Sequence, residues 1–141
     1  MEKKMRVMTE RPLNAETPVE YLRSWITANP VFYDRNQGAI PEGPISLSEW
    51  DLGIEGAVEK PLRFTYDEIL RIPKTIVSNT MECSGNGRSL LKDKASGNPW
   101  TIGGAGNAVW GGIWLCDLLK RAGLKEDAGH VAFEGFDTPL G

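Results

Sequence analysis

A β-forming run that ends in a cysteine and two glycines constrains this chain more than any other stretch. Thr75 to Thr80 is rich in Thr, Ile and Val, residues that suit a pleated strand. Met81-Glu82-Cys83-Ser84-Gly85-Asn86-Gly87-Arg88-Ser89 follows directly. Gly85 and Gly87 demand a turn, because glycine is the default where a backbone turns left-handed or approaches a ligand closely. Cys83 is therefore expected where a strand ends and a glycine-rich turn begins. Successive N–H groups in such a turn can form an anion-binding concavity, and Arg88 adds a fixed positive charge. A cysteine in a positive setting has its thiolate favoured, and the thiolate is both nucleophile and metal ligand. Apolar neighbours would have made Cys83 a small core hydrophobe instead.

Composition narrows the classes of function. At 141 residues the chain is one domain by length and long enough to bury a core. A net charge of −3 argues against a non-specific nucleic-acid binder, which needs a basic face. It leaves room for a small anionic substrate, since a local arginine pair can focus a field against the overall sign. No apolar run is long enough for a transmembrane helix, so no membrane partner is expected. The charged N-terminus lacks the apolar core of a signal peptide and has no twin-arginine pair. That points to the cytoplasm; a periplasmic location would require a processed N-terminus. Cys83 and Cys116 form no disulfide framework. His130 is the single histidine and there is no C-x-x-C pair, which argues against tetrahedral zinc. A C-x-x-C-H haem attachment motif is also absent.

Along the chain, residues 1–16 read as an N-terminal arm and residues 17–141 as the body of the domain. Thr17-Pro18-Val19-Glu20 has the form of a helix start, with Thr at the N-cap and Glu three residues on. That helix is expected to run to Trp25 or Ile26, packing Val19, Leu22 and Trp25, and to stop before Asn29-Pro30. Residues 31–41 read as an irregular segment of the kind that carries function. Trp50, Leu52 and Ile54 alternate with polar residues and predict a strand. Thr65-Tyr66-Asp67-Glu68 opens a short helix through Arg71 that Pro73 stops. Leu90 to Pro99 reads as a polar loop, and the glycine-rich run from Trp100 to Gly112 as a close-packed one. Leu115, Leu118, Leu119 and Ala122 mark an amphipathic helix capped by Gly123, with Cys116 expected in the core. Val131 and Phe133 alternate into a last strand ending at Gly135-Phe136-Asp137, directly before the end of the chain. The pattern is α+β, and a last strand with nothing after it suggests one piece of a longer protein.

Three chemistries compete at Cys83. A phosphatase-like thiolate needs five residues between Cys and Arg; here there are four. A cysteine hydrolase would need His130 as base, at a strand edge with no evident Asn or Asp partner. A soft-metal site needs only this one thiolate if a cofactor brings the remaining sulfurs.

The third case coincides with a resemblance. Cys83-Ser84-Gly85-Asn86-Gly87-Arg88 resembles the Cys-x-Gly-Asn-x-Arg loop of the sulfite oxidase family, the molybdopterin-binding domain shared with plant-type nitrate reductase. Upstream, Phe32-Tyr33-Asp34-Arg35-Asn36-Gln37 and then Pro41 is similar to that family's aromatic pair, Arg-Asn-His and Pro. Downstream follow Trp100, Trp110 with Gly111 and Gly112, the Leu115 helix, and Phe133-Glu134-Gly135-Phe136-Asp137, in the family's order. The arm Thr9-Glu10-Arg11-Pro12-Leu13-Asn14 is similar to bacterial members. Two positions depart: Gln37 replaces the family histidine, and Gly87 the first of two arginines.

The resemblance implies a β-rich sulfite oxidase-type fold, incomplete at its C-terminus, holding a molybdenum-molybdopterin cofactor. It makes Cys83 the protein's ligand to molybdenum and gives Tyr33, Asp34, Arg35, Asn36, Gln37 and Asp137 to the cofactor. Arg35, Arg88 and Trp100 would line a pocket for sulfite, oxidised to sulfate by oxygen-atom transfer. The alternatives are a reductase on the same fold, acting on a sulfoxide or nitrate, or an inactive binding fragment. The family's domain continues past Asp137 with a His, an Arg, a Lys and a catalytic Tyr, then a dimerisation domain. The 141 residues alone are therefore expected to be inactive. A homodimer would form through a domain outside them, and electrons would leave to a separate acceptor such as a cytochrome.

Overall fold

The computed structural model describes residues 5–41 and 43–137. The chain is a mixed α and β structure that divides into two compact units. One gathers the residues up to Ile40, Val77–Trp110 and Asp137; the other gathers Pro41–Ile76 and Gly111–Phe136. None of the described helices is long and apolar enough to cross a membrane.

The first unit opens with a hairpin where an arm was expected. Strand β1 (Arg6–Glu10) pairs antiparallel with β2 (Leu13–Glu16), with a bulge between Val7 and Thr9. Ala15 and Asp34 exchange both backbone hydrogen bonds at 2.9 Å, so the segment carrying Arg35 runs beside β2. The inner face of β2 is polar yet buried, because each group finds a partner. Glu16 accepts from the Thr101 N–H and, at 2.7 Å, from its hydroxyl, and pairs with Arg6 at 3.3 Å.

The helix expected from Thr17 is only a 3-10 turn over Val19–Arg23, without a side-chain cap. Thr17 is buried and its N–H goes to Gly103 O at 2.9 Å, so it ties down the chain instead of capping. Trp25, expected in the packing, is 79% exposed.

Strand β5 (Thr75–Glu82) forms as expected. Its partner is β6 (Ala105–Gly112), which corrects the reading of that stretch as a loop. Glycine is needed at position 106 of this strand because the space is taken: a Cβ there would stand 2.6 Å from the Phe32 ring. Asn107 fastens β6 to its surroundings. Its Nδ2 donates to Trp25 O at 2.7 Å, and its backbone N–H and C=O bond to Thr27. Ala15, Val31 and Trp100 are buried in this unit.

In the second unit β3 (Asp51–Ile54) pairs antiparallel with β4 (Leu62–Thr65), which feeds α1 (Tyr66–Arg71). Both halves of the expected capping box are present at Thr65 and Glu68. Helix α2 (Leu115–Ala122) buries Leu118 and Ala122 and ends at Gly123, φ +69°. Cys116, expected in the core, is exposed: two residues from Leu118 is about 200° around a helix, the opposite face. The last expected strand, residues 130–135, has no ladder partner among the described residues, and Phe133 is 80% exposed. Alternation alone does not make a strand without an edge to supply the hydrogen bonds. Residues 138–141, expected to end the chain directly after it, lie outside the described residues.

Candidate active site

Strand β5 delivers Cys83 to the wall of a cavity of about 270 Å³ in the first unit. Two turns of chain hold the thiol there. The Cys83 N–H donates to Gly104 O at 2.8 Å, and the Asn86 N–H returns to Cys83 O at 2.8 Å. The Gly85 N–H points at Cys83 Sγ from 3.4 Å, the kind of contact a sulfur anion accepts. Asn86 locks the turn, donating to Glu82 at 2.9 Å and accepting from Gly104 N–H at 3.0 Å. Gly87 supplies the left-handed residue that starts the following 3-10 turn, φ +81°.

Arg88 lies in a slot made of glycine. A Cβ at Gly85 would stand 2.9 Å from Arg88 Nη2, and one at Gly97 would overlap Nη1. The guanidinium donates to Asn98 O at 3.3 Å. Trp100, 0% exposed, closes this side of the cavity and meets Tyr33 edge to face at 6.1 Å. Tyr33 in turn stacks on Phe32 at 5.3 Å. Burial first, then the charges of Cys83 and Glu82, push the Tyr33 phenol above its ordinary range, so it stays protonated.

Arg35, Asn36 and Gln37 line the same cavity. Arg35 donates to Asn36 O and, at 2.7 Å, to Gln37 Oε1. The segment is seated by the hairpin: Asn36 N–H donates to Asn14 Oδ1 at 2.9 Å, and Asn36 Nδ2 donates to Leu13 O at 2.5 Å. Asn14 completes the seat through Thr9 Oγ1 and Pro12 O.

The expected residues Cys83, Arg35, Arg88, Trp100, Asn36 and Gln37 thus share one cavity. Tyr33 borders it through Trp100. Asp34 bonds to β2 through its backbone, and Asp137 is exposed in the same unit; neither lines the cavity. Asn14, Gly97 and Asn98 line it without having been expected. The hairpin signal that would have found Asn14 was available, in the short β runs on either side of Arg11-Pro12.

Among the described residues the lining carries two guanidiniums, one thiol and no carboxylate. It is therefore cationic in a chain of net charge −3. No group of three His, Cys, Asp or Glu side chains comes together among those residues to cage a metal unaided. The donor set fits a metal that arrives with most of its own ligands and takes one soft thiolate from the protein.

A family model described as the oxidoreductase molybdopterin-binding domain matches residues 37–141. The chain is 37% identical over 140 residues to mitochondrial sulfite oxidase of Rattus norvegicus, covering 95% of this chain and 25% of that one. It is 34% identical over 147 residues to nitrate reductase [NADH] 2 of Arabidopsis thaliana, covering 97% and 16%. The crystal structure of the sulfane dehydrogenase SoxCD from Paracoccus pantotrophus superposes with a TM-score of 0.71 at 31% identity, over 87% of this chain and 33% of that one. The chain thus spans about a quarter of the length of the sulfite oxidase it matches. With the family model covering most of its length, from Gln37 through the cysteine turn and onward, this chain belongs to the molybdopterin-binding oxidoreductases of the sulfite oxidase family.

Proposed function

We propose that the intact protein oxidises sulfite to sulfate, with Cys83 as the protein's thiolate ligand to a molybdenum-molybdopterin cofactor. The observation that carries this reading is the convergence of Cys83, Arg35 and Arg88 on one cavity without a carboxylate among its described lining. The cofactor, when bound, supplies the two-electron and oxygen-atom-transfer chemistry.

The protein's own residues bind and orient. Arg35 and Arg88 attract a compact oxyanion and fix it through several N–H donors each. Trp100 excludes water from the Arg88 side of the cavity, which strengthens that charge. The Gly85 N–H steadies the Cys83 sulfur. Tyr33, Arg35, Asn36 and Gln37 are assigned to the cofactor; Asp34 and Asp137, which the resemblance also gives to it, do not line this cavity and would have to meet it beyond the cavity. For Gln37 the amide nitrogen is the donor it can offer, while Oε1 accepts from Arg35. Electrons leave to a separate redox protein such as a cytochrome. Nitrate reduction is the second reading, favoured by the 34% identity to a plant nitrate reductase, and nitrate is also a compact oxyanion.

The test is metal analysis of the full-length protein, then sulfite-dependent dye reduction beside nitrate-dependent oxidation of a reduced dye. Stoichiometric molybdenum and sulfite turnover support the first reading; nitrate turnover alone replaces it with the second. In Cys83→Ser, X-ray absorption should show fewer sulfurs around molybdenum, because a hydroxyl is a poor substitute for a soft thiolate. An unchanged sulfur count would remove Cys83 from the metal.

A further inference from the structure

Arg35 meets the cavity already engaged. Its guanidinium donates to the Asn36 carbonyl and to Gln37 Oε1 at 2.7 Å. A guanidinium has five N–H donors in a planar fork, and these two bonds leave the remainder for a ligand. Both acceptors are uncharged. Arg63 in the other unit shows the contrast: it pairs with Asp51 and lies 3.9 Å from Glu55, so its charge is largely answered within the chain.

We infer that Gln37 sets the anion affinity of this cavity, by holding the Arg35 guanidinium in place with a neutral acceptor. The inference rests on the reading of the cavity as an oxyanion site. Two consequences of the geometry support it. A free arginine side chain loses rotamer freedom on binding a ligand. Here part of that loss is already taken, because Gln37 and Asn36 fix the fork and Asn14 and Leu13 fix the segment beneath it. A carboxylate at position 37 could hold the fork equally well but would cancel its charge. An amide holds it and leaves the charge for the ligand. Gln37 is thus a positioning residue, acting on the anion through Arg35.

Inorganic sulfate, titrated calorimetrically into full-length cofactor-loaded protein, tests this without turnover. Gln37→Glu keeps the length and adds one negative charge beside Arg35. Sulfate affinity at pH 7 should fall about ten-fold, the effect of a unit charge a few ångströms away at a wet surface. It should recover only as pH falls below the ordinary glutamate range of about 4, because the adjacent Arg35 favours the charged carboxylate; once neutral, its carbonyl can still accept from Arg35. Gln37→Leu removes the acceptor without adding charge and should weaken sulfate about three-fold, from lost pre-organisation alone. Gln37 is exposed, so neither variant should unfold the chain, and molybdenum content measured beside each titration separates a cofactor defect from a defect at Arg35. Suppose the parent binds sulfate and Arg35→Met weakens it, while Gln37→Glu binds like the parent at pH 7. The positioning role is then wrong and the oxyanion site stands. A parent that binds no sulfate overturns the oxyanion site and this inference together. A Gln37→Glu defect with no recovery in acid overturns the charge account of Gln37.

Discussion

Arg88 and Arg35 line one cavity, but the chain holds them by different means. Arg88 is held by shape. Glycine lies on both sides of its guanidinium, and its loop is strapped to the next segment by Gly87 N–H to Thr101 O at 2.5 Å and Ser89 N–H to Trp100 O at 3.0 Å. Arg35 is exposed and held by polarity, through its two sequence neighbours and the buried amide of Asn14 beneath them. A slot responds to a change in volume, which shifts the guanidinium, more than to a modest change in charge. A polar tether behaves the other way round. The first arginine gives the cavity a fixed point; the second gives it an adjustable affinity.

The largest expected effect removes the difference by breaking both holds. Trp100 is fully buried, borders the Arg88 slot through Gly85, and packs edge-on to Tyr33 next to the Arg35 segment. Trp100→Ala should destabilise the protein by about 3–5 kcal/mol, the usual cost of deleting a buried large aromatic. Urea unfolding should show that loss, and sulfate affinity should fall by more than either arginine substitution alone produces. Native-like affinity in a folded Trp100→Ala protein would show that neither hold depends on it.

Next comes a change aimed at the slot alone. Gly97 has φ +101°, and any Cβ there overlaps Arg88 Nη1. Gly97→Ala should cost about 3 kcal/mol from backbone strain and displacement of the guanidinium. Adding Arg88→Met to it should weaken sulfate little further, because the two changes remove the same interaction. Adding Arg35→Met should weaken it as much as in the parent. Equal additivity with both arginines would mean that Gly97 does not build the slot.

How far these two regions could be read in the sequence follows the same division. The Cys83 turn was legible because its glycines and the β run before it are local signals, and β5, α1 with its capping box, and α2 formed where expected. The tether was not, because Asn14 and Asn36 lie 22 residues apart and no local pattern announces their bond. Reading residues 1–16 as an arm hid the hairpin that supplies Asn14 and Glu16. Thr17 was misread because a capping pattern is local, whereas the Gly103 carbonyl that claims its N–H is distant in sequence. Gly106 masked a strand for the same reason: the Phe32 ring occupying the space over it comes from elsewhere.

A change aimed at the tether alone should be smaller than either of the above. Asn14→Leu leaves the Asn36 N–H without its acceptor and removes the donor to Thr9 and Pro12. Unpaired buried groups of this kind cost about 2 kcal/mol. The Arg35 segment should loosen, so hydrogen exchange at Asn36 should speed up while the amides of Gly87 and Ser89 stay protected. Equal loss of protection in both segments would show that the two holds are one cooperative unit.

The smallest expected effect falls outside the cavity and tests whether the contrast is local. Thr65 and Glu68 cap α1, and neither lines the cavity. The Thr65 N–H and hydroxyl both donate to Glu68 Oε2, at 2.8 and 3.0 Å, and Glu68 N–H donates back to Thr65 Oγ1 at 3.3 Å. Thr65→Ala should cost about 1 kcal/mol, as for other N-cap threonines, and leave sulfate affinity unchanged. The backbone bond from Thr65, then its side-chain bond, holds the Glu68 carboxyl below its ordinary range. A lowered carboxylate contributes stability that is present above its unfolded pKa and lost as pH falls through its folded one. The gap in stability between the parent and Thr65→Ala should therefore narrow on acidification, since the hydroxyl bond to a charged Glu68 exists only in the parent. Melting temperatures of the two proteins from neutral pH down through the carboxylate range give the measurement. A gap that stays constant would show the cap acting through Thr65 Oγ1 and Glu68 N–H alone. A change in sulfate affinity would show that disturbance at α1 reaches the arginines, and that their difference is not set by their own neighbours.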